Sequence, residues 1–173
     1  MKTLIMTFFI SFSMMIGFAQ EKTKKQLKDE KKATQLKATE ALVDSREYEF
    51  EADMAYPQGT RSINLTTNPN YFRVKKDTID SQMPFFGRAY SNVGYGSNEG
   101  GMDFKGLVKD YSIKKTSKNF TIKGEVKGDS DTFDFVLTVY YDGDANLSIS
   151  STHRSPISYN GRIQKLEIKK NNK

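Results

Sequence analysis

The chain reads as a mainly β protein. The expected domain is a single antiparallel one of about nine strands, a closed up-and-down barrel or a sandwich, led by one N-terminal helix. Three observations predict this. From residue 47 onward, apolar and polar residues alternate with a period of two in one segment after another. Turn chemistry separates those segments, as at Tyr56-Pro57-Gln58-Gly59, Asn68-Pro69-Asn70, Lys76-Asp77 and Asp142-Gly143-Asp144. No helix-spaced stretch lies between them, so the strands must pair with neighbours rather than through crossovers. Barrel and sandwich fit the pattern equally.

The chain opens on a secretory leader. Lys2 supplies the positive start, residues 4–18 are apolar or small, and Gly17-Phe18-Ala19 places small residues where a signal peptidase reads them. Cleavage is expected after Ala19. The run is short for a membrane span, and charge follows at once. The 154 residues after it (173 less 19) suffice for one domain. No later stretch is expected to span a membrane.

Residues 20–32 form a charged segment with six lysines against three acids. Such a segment is expected to fray or stay disordered, with weak attraction to an anionic membrane surface. Residues 21–45 lack glycine and proline and are rich in helix formers. Their second half lays an apolar edge on the domain, anchored by Leu36, Ala38, Ala41 and Leu42, with Leu27 further ahead. The single β-rich domain with its leading helix spans residues 33–168, and 169–173 are a basic tail.

The period then changes. Tyr48, Phe50, Ala52 and Met54 alternate with Glu47, Glu49, Glu51 and Asp53, a half-buried strand with an acidic outer face. Those acids lie about 7 Å apart on one strand, too far to share an ion without help from another strand. Short strands follow at 62–66, 71–75 and 78–82. After a glycine-rich loop come strands at 102–108 and 111–115. Phe120, Ile122, Gly124 and Val126 share one face. Residues 133–141 make the strongest strand, with Phe133, Phe135, Leu137, Val139 and Tyr141 on one side. Leu147, Ile149 and Ser151 share a face. Ile163, Leu166 and Ile168 finish the sheet with a spacing that suggests a bulge.

The densest aromatic run after the leader is Met83-Pro84-Phe85-Phe86-Gly87-Arg88-Ala89-Tyr90, followed by the loop at 94–101. Pro84 fixes its own φ and biases Met83 toward an extended backbone. Phe85, Phe86 and Tyr90 carry large apolar areas, and a guanidinium such as that of Arg88 can stack on a ring. These residues with Tyr95 make a candidate ligand site. The plainer reading is a strand leaving the core, with Arg88 paired to a carboxylate.

This stretch, with Met102-Asp103-Phe104 and the later runs 142–151 and 157–161, resembles the signature of an uncharacterised secreted bacterial family, domain of unknown function 4251. The resemblance covers about residues 34–168. It implies an envelope-targeted, β-rich domain closed as a lipocalin-like barrel, and it implies no activity. Some members of that family look like lipoproteins; this chain has no cysteine to lipidate.

The remaining motifs carry little chemistry. Without cysteine there is no disulfide, thiol nucleophile or thiolate metal site. Asp142-x-Asp144-x-Asn146 imitates the start of a calcium loop, but Leu147 and His153 stand where that loop needs Gly and Glu. A hairpin turn explains the same residues. His153 is the lone histidine, and no Gly-x-Ser-x-Gly elbow accompanies it. The glycine-rich loop lacks the Gly-Lys-Ser/Thr ending of a phosphate cradle. We therefore expect no enzyme, cofactor, metal or nucleic-acid partner. The expected function is an exported, periplasmic or secreted, barrel that binds an apolar or amphipathic ligand. The other reading is a structural or protein-interaction protein of the envelope.

Overall fold

The computed structural model describes residues 23–90, 101–128 and 131–166. The leader, Tyr95 with most of the glycine-rich loop, Ile168 and the basic tail lie outside the described residues.

Helix α1 spans Lys24–Ser45. Thr23 and Gln26 make a reciprocal cap at its start: the Thr23 N–H donates to Gln26 Oε1 at 2.9 Å, and the Gln26 N–H to Thr23 Oγ1 at 3.4 Å. The half expected to carry the apolar edge does so, but through other residues. Thr39 and Val43 are the buried pair, backed by Leu36 and Leu42, whereas Ala38, Ala41 and Leu27 face water. The Thr39 hydroxyl donates to Tyr141 O at 3.0 Å, and Lys115 pairs with Glu40. Arg46 then takes a left-handed conformation (φ 53°), which ends the helix and turns the chain into the first strand.

Nine strands follow among the described residues: β1 Glu47–Pro57, β2 Ile63–Asn64, β3 Tyr71–Lys75, β4 Thr78–Met83, β5 Met102–Lys115, β6 Asn119–Lys127, β7 Thr132–Tyr140, β8 Asp144–Ser151 and β9 Ile157–Lys165. Every pairing is antiparallel. Strands β3 to β9 pair in chain order, β3 pairs with β1, and β9 returns to β1, from Tyr48 opposite Lys165 to Pro57 opposite Ile157. Eight strands thus close a barrel, and β2 adds a short ninth along the far half of β1. The barrel, not the sandwich, is the architecture.

Two departures from simple alternation shape the wall. In β1 the register slips between Ala52 and Met54 against β9, so Ala55 and Pro57 point inward where Met54 was expected. On the other edge of β1, where pairing with β3 ends at Phe50 opposite Phe72, the Asn70 amide continues the ladder to Ala52. Its Oδ1 accepts from the Ala52 N–H at 2.8 Å, and its Nδ2 donates to Ala52 O at 3.0 Å. The second departure is in β5, one long strand where two were expected. Asp110 has φ 51°, and the pairing with β6 shifts between Lys109 and Ser112.

Large side chains fill the interior. Phe72 packs against Phe135 at 5.0 Å and Phe104 at 6.3 Å between ring centroids, and Phe104 stacks on Phe133 at 4.1 Å. Tyr48, Phe50, Phe120, Leu137, Leu147, Ile149 and Tyr159 are fully enclosed. The glutamates of β1 are matched from neighbouring elements: Glu49 by Arg73, Glu47 by Lys76 of the β3–β4 turn, and Glu49 and Glu51 together by the Gln164 amide.

Candidate functional site at the barrel mouth

The register assigns the barrel two ends. The β3–β4 turn, the start of β1, the end of β9 and the second half of α1 share one. At the other, β4 ends at Met83 opposite Met102, and the chain leaves the wall as the aromatic stretch.

Four hydrogen bonds hold that stretch across the mouth. Pro84, with no N–H to offer the ladder, accepts at its carbonyl from the Tyr159 hydroxyl at 2.8 Å. Arg88 and Ser155 bond reciprocally: Ser155 N–H to Arg88 O at 2.9 Å, and Arg88 N–H to Ser155 Oγ at 3.0 Å. Tyr90 N–H donates to His153 O at 2.8 Å, and Ala89 bridges Arg154. Gly87 lies so close beneath this seam that a Cβ would collide with Ser155 Oγ and the Phe85 ring.

The side chains divide accordingly. Phe85 is half-buried against the core, while Phe86, Arg88 and Tyr90 face water, Tyr90 at 67% exposure. The cation beside the Phe85 ring is Arg154, 5.8 Å from its centroid, and not Arg88. Arg88 contributes its backbone. The Arg154 guanidinium also donates to Gly101 O.

A concavity of about 440 Å³ opens here. Pro69, Met83, Pro84 and Phe85 give it an apolar side; Asn68, Gln82 and Asp103 give it a polar one. Withdrawal from water raises the Asp103 carboxyl above its usual range, against the pull of Arg154 and a hydrogen bond from Met83. Burial pushes the Tyr159 phenol far above its own range, aided by the Asp103 charge and opposed by Arg154. Among the described residues, no three His, Cys, Asp or Glu side chains converge as metal ligands. Asp142 and Gly143 occupy the tight turn between β7 and β8, with Gly143 at φ 89°.

Of the five residues singled out in sequence, Phe85 lines the concavity. Phe86, Arg88 and Tyr90 stand on the same segment facing out, and Tyr95 lies outside the described residues. Sequence reasoning missed Asp103, Arg154, Tyr159 and Gln82 as partners of the stretch. Asp103 stood inside a matched motif, and Arg154 beside the lone histidine. Nothing local showed that these residues meet residues 84–88 across the barrel end.

The fold and its aromatic strap define a class: a closed, eight-stranded, antiparallel up-and-down barrel with a segment drawn over one end. The chain belongs to the family described as Domain of unknown function (DUF4251), which matches residues 30–163. A crystal structure of a DUF4251 family protein from Bacteroides eggerthii DSM 20697 shares the fold, with TM-score 0.59 and 19% identity over 77% of this chain and 89% of that one. No curated protein matches the chain.

Proposed function

We propose that the protein is an exported envelope module that binds the apolar part of a small amphipathic ligand at the barrel mouth. The observation that carries this is the concavity in which Pro69, Met83, Pro84 and Phe85 face Asn68, Gln82 and Asp103. Few polar groups beside an apolar wall are what orients a small ligand. Phe86 and Tyr90 extend apolar surface outward from the same segment. The large side chains enclosed in the interior support a seat at the mouth rather than in a deep central chalice. The leader supports export, and the exposed Lys24, Lys25, Lys28, Lys31 and Lys32 on α1 support attraction to an anionic membrane surface.

Native mass spectrometry on the mature protein purified from its host's envelope tests this. A co-purifying small molecule, lost in Phe85→Ala, is the expected result. A clean apo mass, unchanged by envelope lipid extracts, would move the assignment to a protein-interaction role.

A further inference from the structure

A second concavity, of about 660 Å³, lies on the outer wall by the β7–β8 turn, toward the end opposite the mouth. Asp53, Tyr140, Asp142, Asn146, Asn160 and Arg162 line it. They come from β1, β7, β8 and β9, and Asn146 stands directly opposite Asn160 in the ladder. Asp53 reaches this wall from the outer face of β1, at the slip against β9.

Three of these side chains, Asn146, Asn160 and Arg162, are held in place by neighbours. Asn146 Nδ2 donates to Asn160 Oδ1 at 2.7 Å and to Tyr159 O at 3.2 Å. Asn160 Nδ2 donates to the Tyr56 hydroxyl at 3.3 Å. Arg162 donates to Asp142 O at 3.0 Å and pairs with Asp144 at 3.0 Å. Such fixing lowers the ordering cost of binding. Two of the most exposed aromatic rings are here as well: Tyr140 in the groove and Tyr56 bonded to Asn160, each 43% exposed.

Ligand chemistry follows from that set. The carboxylates are spread along the groove and do not converge on one ion. Amides, carboxylates and a guanidinium together accept from and donate to hydroxyls, each in a planar, two-point geometry. An exposed ring offers an apolar face. A molecule with several hydroxyls and a flat C–H face satisfies all of these at once. We infer that this groove binds a neutral saccharide, stacked on Tyr140 and hydrogen-bonded to Asn146, Asn160 and Asp53. The inference is independent of the mouth, which shares no lining residue with it.

The test is amide NMR on the labelled protein with maltotriose, cellotriose, chitotriose and mannotriose, each at about 10 mM, a level suited to millimolar binding. At least one sugar is expected to shift the amides of residues 140–146 and 160–162 while those of 84–90 stay still. Tyr140→Ala should weaken that binding by about tenfold or more, and Tyr140→Phe should keep it. Asn146→Ala provides a second loss should Tyr140→Ala disturb the turn. The inference is overturned if none of the four sugars moves these amides. It is equally overturned if spermidine moves them and the sugars do not, because the groove would then be an acidic face for amines.

Discussion

At the residue scale, the most telling side chain is Asn70. It is 7% exposed, and its amide stands in for a missing strand partner by bonding both backbone groups of Ala52. Asn70→Ala strands two buried polar groups, so we expect a loss of about 2–4 kcal/mol in denaturant unfolding. Asparagine in an Asn-Pro-Asn turn reads in sequence as a loop residue, and nothing local marks it as the strand partner of Ala52. Tyr48 is the opposite case. Its hydroxyl is buried beside that of Tyr111, without the geometry of a good hydrogen bond between the two. Tyr48→Phe should therefore be neutral or stabilising by about 1 kcal/mol in the same assay. Asp103 gives a pH signature. Its carboxyl titrates higher in the folded chain than in the unfolded one, so the native state holds the proton more tightly. Stability from this group is full below the unfolded value, about pH 4, and is lost as pH rises through the folded one. Asp103→Asn should raise Tm at pH 7 and leave it unchanged near pH 3.

At the element scale, the seam between β1 and β9 decides whether the wall closes. Gly161 lies against the slip in β1, where a Cβ would collide with Glu51 O and crowd the Ala52 backbone. Gly161→Ala should force the two strands apart, cost about 3 kcal/mol and raise amide exchange along β1 and β9 before the other strands. Strand identity was legible in sequence wherever alternation ran unbroken, as in β6, β7 and β8, because one face of each had to be apolar. It failed where the backbone departs from the pleat. The β1 slip put Ala55 rather than Met54 inside, and the Asp110 irregularity joined two expected strands into β5. In α1, volume misled. Ala38 and Ala41 looked like the apolar edge, but Val43 and the methyl-bearing Thr39 hold the buried stripe. Only Thr39 can also reach the Tyr141 carbonyl.

At the scale of the whole barrel, topology sets the order of assembly. Strands β3 to β9 each pair with the next in the chain, whereas β1 must find β9 across more than a hundred residues, Tyr48 opposite Lys165. Closure of that span costs loop entropy before any contact offsets it. We expect φ-values to be highest in β6–β8 and lowest at the seam, and conservative variants such as Val139→Ala and Ile163→Val distinguish the two. The same long-range pairing explains why barrel and sandwich looked equivalent in sequence. It also explains why the mouth partners Asp103, Arg154 and Tyr159 were not grouped with Phe85. Because β1 begins and β9 ends beside each other, the barrel hangs from its polypeptide like a lantern from two adjacent cords. The aromatic strap crosses the far opening. Both Glu47 and Lys165 therefore enter the wall on the side away from the strap.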